Sequence, residues 1–194
     1  MQEGRKTQAE RRAETQRRLI AAGRRLFAEK GYAGTGTPEI VAAAGVTRGA
    51  LYHHFADKLA LFAAVVAEEH ALLAMAINAA TEGEDEPGPV KALVAGGDAF
   101  LDAMQDPGRR RILLVDAPAV LGRTAVDAID AQHGLRTLIE GVTVAMEAKA
   151  IRELPVIPLA HLLNALFDRA ALAAADDLPD YRKAIKALIR GLKT

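Results

Sequence analysis

Residues 37–58 constrain the fold of this chain most, because their turn and capping residues fit two short helices joined tightly. Thr37 is a suitable N-cap, and Pro38 fits a first helical turn, where a missing N–H costs nothing. Gly45 can take the left-handed conformation that ends a helix, and Thr47 can cap a second one. The segment predicts a helix-turn-helix. Taken alone, the pattern also fits an ordinary helical hairpin with a solvated polar face.

The second helix of this pair, residues 47–54, has one apolar side and one side suited to DNA. Leu51 and Phe55 are four residues apart and therefore share the buried side. The other side carries small and polar groups, which allow the close approach that a major-groove reader needs. These outward groups are Arg48, Gly49, Tyr52 and His53.

A wider stretch, from about residue 15 to residue 65, resembles the N-terminal domain of TetR-family transcriptional regulators. The matching residues stand at fixed spacing: Leu26 to Tyr32, Ile40, Gly45 to Gly49, Leu51 to Phe55, Lys58 and Leu61. One departure is Val41, where the family usually has alanine because the two helices cross closely. Its extra methyl groups can splay the helix pair slightly.

The resemblance implies a DNA-binding regulator, a repressor, that binds a palindromic operator as a homodimer and is released by a small-molecule effector. Control by a protein partner rather than a small ligand is the alternative. The two recognition helices would enter successive major grooves of double-stranded DNA about 34–36 Å apart. No enzymatic activity is expected.

Roles at the DNA are assigned from the same resemblance and from side-chain chemistry. Arg48 is expected to read guanine, while small neighbours permit close approach. In relatives, the residues corresponding to Thr37 and Lys58 bind the DNA backbone, and these roles are carried over. Tyr52 and His53 are expected at phosphates or thymine methyl groups. The full set of expected DNA contacts is Thr37, Thr47, Arg48, Gly49, Ala50, Tyr52, His53, His54 and Lys58.

Composition and charge agree with a two-part helical protein. The apolar share of 51% is ample for a core, and no stretch alternates like a half-buried strand, so the prediction is an all-α fold. The net charge of zero hides an asymmetry: residues 1–60 hold 11 Lys/Arg against 6 Asp/Glu, and residues 61–194 hold 14 against 19. A cationic head on a non-DNA-binding body has this distribution.

Other functional classes find little support. The absence of cysteine excludes disulfides and thiolate metal sites and suits a cytoplasmic protein. The longest apolar runs, such as residues 59–67, fall short of a membrane span, so no membrane partner is expected. The histidines lack ligand spacing for a metal, no cofactor fingerprint is present, and no catalytic motif is found.

The predicted domains are a three-helix helix-turn-helix domain over residues 1–56 and a helical effector-binding and dimerisation domain over residues 57–194. The first helix, residues 7–30, is basic, and Arg24 and Arg25 are interpreted as solvated surface. Whether Arg5, Lys6, Arg11 and Arg12 form a DNA-contacting arm is left open.

The body is predicted to hold a long helix over residues 57–80, a loop over residues 81–89, and helices over residues 90–105 and 109–116. Pro118 is expected to disrupt the chain directly beyond residue 116. Further helices are predicted over residues 123–151, with a possible break at Gly134 or Gly141, from Pro155 or Pro158 to residue 175, and from Pro179 onward.

The last two helices carry apolar stripes at helical spacing. One stripe holds Leu159, Leu162, Leu163, Leu166 and Ala170, and the other holds Ile185, Leu188, Ile189 and Leu192. Burial within one subunit explains part of each stripe. The resemblance implies that the outward parts pair with a second subunit as a four-helix bundle.

The resemblance places a ligand pocket in the body but does not identify its residues. A mostly apolar pocket with a few polar anchors suits a lipophilic small molecule. The expected apolar lining is Phe62, Val66, Phe100, Met104, Leu113, Met146 and Phe167. Polar residues within apolar helices are further candidates, namely His70, Asn78, Asp116, His133, His161, Asn164 and Asp168. Asp116 and Asn164 are preferred, because their neighbours predict nearly complete burial.

Overall fold

The N-terminal head of the protein consists of three helices around a small core. We describe residues 7–81 and 88–194 of a computed structural model. Helix α1 spans Gln8–Lys30, α2 spans Thr37–Ala44 and α3 spans Arg48–His54. Thr7 caps α1 by accepting the Glu10 N–H, and Gly31 ends it with a φ of 74°. Arg5 and Lys6, half of the possible arm, lie outside the described residues.

Helices α2 and α3 form the predicted helix-turn-helix. Gly45 has φ 60° and ψ 41°, the left-handed conformation expected of it, and the Arg18 guanidinium donates to its carbonyl at 3.0 Å. Thr47 caps α3 by accepting the Ala50 N–H at 3.2 Å, as predicted. The predicted cap at Thr37 is wrong by one residue. Gly36 holds the N-cap position, and the Glu39 carboxylate accepts its N–H, so Thr37 is the first residue of α2.

The body is also helical. Its helices are α4 (Lys58–Thr81), α5 (Pro89–Ala103), α6 (Pro107–Arg110), α7 (Ala117–Leu121), α8 (Arg123–Asp130), α9 (Gly134–Glu147), α10 (Val156–Ala171) and α11 (Leu178–Arg190). Arg111–Asp116 forms a π-helical turn between α6 and α7, here called the π-segment. Across the described ranges the only β-pairing is an isolated bridge between Ile151 and Lys193. The all-α prediction is confirmed.

Two predicted helix boundaries in the body are wrong. Pro118 does not disrupt the chain: it lies in the first turn of α7, directly after the π-segment, where the change of hydrogen-bond register accommodates a residue without an N–H. Residues 123–151 do not form one helix, because the helix is interrupted between Asp130 and Gly134. The break before Gly134 was one of the two expected, whereas Gly141 lies inside α9. Most of the predicted acidic loop, residues 82–87, lies outside the described residues.

Helix α4 connects head and body. Asp57 caps it by accepting the Ala60 N–H at 2.7 Å, and its first half packs against α1, where Gly23 leaves room for Leu61 and Val65. Phe62 meets Phe27 at 5.0 Å between ring centroids. The first turns of α4 therefore share the core of the head, although the predicted domain boundary falls just before them.

By length and composition alone, α4 is long and apolar enough to cross a membrane. The apolar run predicted over residues 59–67 ends before Glu68 and Glu69, but the helix continues in apolar sequence beyond them. The helix nevertheless buries Leu61, Val65 and Leu73 inside the protein. A core helix of this length passes the same test, so the finding is weak evidence for a membrane.

Candidate functional site

The exposed face of α3 is the predicted DNA-facing surface. Leu51 is fully buried and Phe55 nearly so, as the four-residue spacing predicts. On the opposite side Thr47, Arg48, Gly49, Tyr52 and His53 are exposed, while Ala50 and His54 are half-buried. The predicted division of α3 into a buried and an exposed face is therefore confirmed. DNA contact by each of these residues stays a prediction.

One polar cluster joins the start of α2 to α3. It consists of Thr37 on α2 and of Arg48 and Tyr52 on α3. The Arg48 guanidinium carbon lies 5.5 Å from the centroid of the Tyr52 ring. Hydrogen bonds from Arg48 and then Thr37 lower the pKa of the Tyr52 phenol. The cluster joins the expected base reader to an expected phosphate contact. Both helices of the motif therefore contribute to a single surface.

Gly49 has no role in the fold that requires glycine. A methyl group built at its Cα would find only the Thr47 hydroxyl oxygen, at 3.9 Å, within contact range. Its backbone is helical, so no positive φ demands glycine either. Gly49 therefore leaves open space on the exposed face of α3.

His54 differs from its exposed neighbour His53. Partial burial, followed by the nearby His53 and Arg12, lowers the pKa of His54, which favours the neutral imidazole. A neutral ring is a weaker phosphate ligand than a cationic one. DNA contact by His54 stays a prediction.

Lys58 stabilises the glycine-rich loop between α1 and α2, residues 31–36. Its ammonium donates to the carbonyls of Tyr32 and Thr35, both at 3.0 Å, and lies 4.0 Å from the Tyr32 ring centroid. Two of its three N–H groups are thus used within the protein, and one remains for a phosphate. Sequence reasoning predicted the phosphate contact but missed this structural role.

A buried carboxylate links the head to the body. Glu69 on α4 is fully buried and forms ion pairs with Arg24 of α1 and with Arg109 of α6, whose Nε lies 2.7 Å from the second carboxylate oxygen. Arg24 also reaches Asp106 at 3.3 Å. The interpretation of Arg24 as solvated surface is wrong. Arg25, by contrast, is exposed and lies 3.9 Å from Glu29.

The π-segment binds the end of α1. The Asp116 carboxylate accepts the Tyr32 N–H at 2.9 Å, and Arg111 donates to the Glu29 carbonyl at 3.1 Å. A side chain at Gly31 would require the Arg111 guanidinium to shift and would be strained by the φ of 74°. The prediction that Asp116 lines a ligand pocket is therefore wrong. Its carboxylate is instead hydrogen-bonded to the head.

The body contains a partly open cavity of about 380 Å³ between α4, α5, the π-segment, α7, α8, α9 and α10. Five predicted lining residues do line it, namely Phe100, Met104, Leu113, Asn164 and Phe167. Besides Asp116, three predictions are wrong, because these side chains lie elsewhere in the core. Phe62 belongs to the aromatic cluster with Phe27 and Tyr32, and Val66 and Met146 pack away from the cavity.

The polar side of the cavity contains a charged residue that sequence reasoning missed, Asp130. Its Oδ1 lies 3.2 Å from Nδ1 of His70, and its Oδ2 accepts from the Asn164 amide at 3.2 Å. Burial would raise the pKa of Asp130, but His70, the Leu135 N–H and Asn164 together hold it below its ordinary value. No local sequence signal marks Asp130, since its partners are distant in the chain.

Asp168 lies on the same wall as Asp130, but its pKa is shifted in the opposite direction. Burial, followed by the charge of Asp130, raises its pKa to about 6, although Arg123 and His70 counteract this. Sequence reasoning had named Asp168 and His70 as candidates without selecting them. Both line the cavity.

Among the residues that the structure describes, no three His, Asp or Glu side chains converge as a metal site. The arrangement therefore offers two surfaces, an exposed helix face on the head and a polar-walled cavity in the body.

Two family models match this chain. One, described as bacterial regulatory proteins of the tetR family, matches residues 19–65, and the other, a tetracyclin repressor-like C-terminal domain, matches residues 90–193. The chain belongs to the TetR family. TetR-family proteins are helix-turn-helix transcriptional regulators and not enzymes, so this chain is a DNA-binding regulator.

Individual TetR-family proteins are similar over different shares of the chain. The Transposon Tn10 TetC protein of Escherichia coli is 28% identical over 91% of this chain and 89% of its own length. The HTH-type transcriptional regulator CymR of Pseudomonas putida is 55% identical, but over 31% of this chain and 30% of CymR. A solved TetR-family regulator from Pectobacterium atrosepticum is 31% identical, with a TM-score of 0.80 over 97% of this chain and 98% of that one.

Proposed function

We propose that this TetR-family regulator is a repressor that binds a palindromic operator as a homodimer and leaves it when a small molecule enters the body. The observation that carries the proposal is the exposed surface of α3, where Arg48 stands beside a glycine that the fold does not need. Such a surface suits the major groove, where arginine pairs with guanine. The expected DNA contacts remain Thr37, Thr47, Arg48, Gly49, Ala50, Tyr52, His53, His54 and Lys58. A protein that acts on DNA is expected in the cytoplasm.

Support for the homodimer comes from the outward faces of α10 and α11. Leu163 and Ile189 are buried within the subunit, whereas Leu162 is 65% exposed and Leu188 is 55% exposed. The predicted apolar stripes thus divide into an inward and an outward half. Exposed leucines on adjacent helices favour pairing with a second copy as a four-helix bundle. Twofold symmetry would then present two α3 helices to one duplex.

Support for a small-molecule effector, rather than a protein partner, comes from the cavity. Its volume of about 380 Å³ falls in the range of small-ligand sites. Phe100 and Phe167 supply apolar lining, and His70 and Asp168 supply polar lining. A protein partner would need no such cavity.

The π-segment offers a route from the cavity to the head. Leu113 faces the cavity, while Asp116 holds the Tyr32 N–H of the head. A ligand that displaces the π-segment would therefore alter the end of α1 and the spacing of the two heads. Release requires that the ligand bind the DNA-incompetent arrangement more tightly than the other.

The proposal is tested with duplexes selected from a random-sequence pool by the full-length protein. Gel-shift affinity for the selected duplex should fall steeply as salt rises, because phosphate contacts release counterions. Arg48→Ala should lose about 1–3 kcal/mol of binding free energy and accept substitutions at one guanine. Arg25→Ala, a matched loss of an exposed arginine on α1, should change neither. If Arg48→Ala keeps the wild-type sequence preference, α3 does not read the operator as proposed.

A further inference from the structure

The polar wall of the cavity presents hydrogen-bond acceptors. His70 is 8% exposed, and neither of its ring nitrogens has an aligned hydrogen-bond partner within the described chain. Its Nδ1 is the nitrogen nearer Asp130, 3.2 Å from the carboxylate, and is assigned the proton on that ground. The Nε2 has no hydrogen-bond partner among the described residues, and His70 lines the cavity.

Asp168 supplies an acceptor that has no donor in the described part of the chain. Its carboxylate lies largely buried on the cavity wall, and in residues 7–81 and 88–194 no side chain donates a hydrogen bond to it or forms an ion pair with it. A buried carboxylate without a donor is costly, and native proteins rarely retain one without a use. Asp130, on the same wall, already accepts from Asn164 and Leu135.

The hydrogen-bond donors among the cavity-lining side chains are mostly bonded within the protein or lie at the edge of the cavity. The Asn164 amide donates to Asp130, and the Thr137 hydroxyl donates to the His133 carbonyl at 3.3 Å. Arg123 is the single Lys or Arg among the described lining residues, but it is exposed and paired with Asp127 at 3.3 Å. The interior can therefore accept hydrogen bonds and balance positive charge. It has little to offer an anion.

We propose that the cavity takes a lipophilic ligand bearing a protonated amine, whose ammonium group binds the Asp168 carboxylate. The apolar part of the ligand packs against Phe100 and Phe167, which also line the cavity. This assignment rests on the proposed effector role of the cavity and specifies its ligand class. An ammonium supplies up to three N–H donors and the charge that Asp168 lacks.

A matched set of three probes tests this ligand class: naphthalen-2-ylmethylamine, naphthalen-2-ylmethanol and 2-naphthoate. They share one apolar skeleton and differ in charge and donor capacity. Isothermal titration calorimetry with the full-length protein at pH 7.5 should give an ammonium affinity at least about tenfold above that of the alcohol, with the carboxylate weakest.

Two variants separate the proposed contact from a general change in charge. Asp168→Asn should weaken the ammonium probe about tenfold and leave the alcohol within about twofold. Glu68→Gln removes the same charge from an exposed position of α4 and should change neither affinity. The proposal is overturned if the alcohol or the carboxylate binds as tightly as the ammonium, if the ammonium does not bind, or if Asp168→Asn weakens ammonium and alcohol alike.

A parallel gel shift distinguishes failure of this inference from failure of the proposed function. If a neutral or anionic compound enters the cavity and releases the operator, the effector role stands and the ammonium assignment is wrong. If the ammonium probe binds as expected but leaves operator affinity unchanged, the ligand class stands and the effector role fails.

Discussion

At the scale of single residues, the structure separates positions that serve the fold from positions that serve a partner. Leu51 and Phe55 of α3 were predicted as buried from their spacing, because helical periodicity is a local property. Asp130 could not be predicted, since its partner Asn164 is 34 residues away and nothing local marks either residue. Only tertiary packing brings such polar groups together.

Gly49 allows stability and DNA affinity to be separated. Gly49→Ala should stabilise the protein by up to about 1 kcal/mol, because alanine is the better helix former and the methyl group has room. The same methyl group should weaken operator binding by obstructing approach of α3 to the base edges. Urea unfolding and gel shift on the same preparation measure both. A variant that binds the operator as tightly as wild type would show that α3 does not come close to the DNA at Gly49.

Asp168 should destabilise the ligand-free protein at neutral pH. Its pKa is raised from 3.8 to about 6, so the folded state holds the proton more tightly than the unfolded one, and stability is lost as pH rises from about 4 to about 6. Asp168→Asn should therefore raise the free energy of unfolding by about 1–2 kcal/mol at pH 7.5, with a gain that shrinks toward pH 4. Urea midpoints across this pH range measure it. Glu68→Gln serves as the control, and an equal gain there would attribute the effect to net charge.

At the scale of elements, the links between head and body lie on helices whose contacts the sequence does not predict. The cap at Thr47 was predicted because it acts on its own helix. Arg24 was misread, because its partner Glu69 is 45 residues away on α4. The π-segment was also missed, since its change of register depends on packing against both the head and the cavity.

The ion pairs of Glu69 provide the prediction at this scale. Glu69→Gln leaves Arg24 and Arg109 without their carboxylate, and should lower the free energy of unfolding by about 2–3 kcal/mol, less than for a fully enclosed pair because Arg24 is 38% exposed. Urea unfolding followed by circular dichroism measures the loss. Glu29→Gln, which removes an exposed pair with Arg25, should cost no more than about 0.5 kcal/mol. If both variants lost the same free energy of unfolding, the Glu69 ion pairs would not stabilise the contact between head and body.

At the scale of the whole molecule, fold and family are readable from the N-terminal motif, whereas the cavity is not. The residues that line it come from seven separate elements, so local spacing cannot identify them. Phe100, Met104, Leu113, Asn164 and Phe167 line the cavity, whereas Phe62, Val66, Asp116 and Met146 do not. Assembly depends on the outward halves of the α10 and α11 stripes. The sequence shows both stripes, but only the folded subunit shows which residues remain for a second copy.

Leu162 offers a direct test of the proposed dimer. Leu162→Glu should be tolerated by the subunit, because the side chain is 65% exposed, yet it should dissociate the dimer and reduce operator affinity. Light scattering and gel shift measure the two effects. Met75→Glu, at a side chain 68% exposed on α4, is the matched control and should leave the dimer intact. A dimeric Leu162→Glu protein would place the subunit interface elsewhere.

The central claim is that two copies of α3 occupy neighbouring major grooves of one operator. Hydroxyl-radical footprinting of the wild-type protein on its selected duplex tests this most directly. The account predicts two protected regions related by twofold symmetry, with centres one helical turn, about 34–36 Å, apart on an imperfect palindrome. A single protected region on a sequence without symmetry, or no protection at low salt, would contradict it.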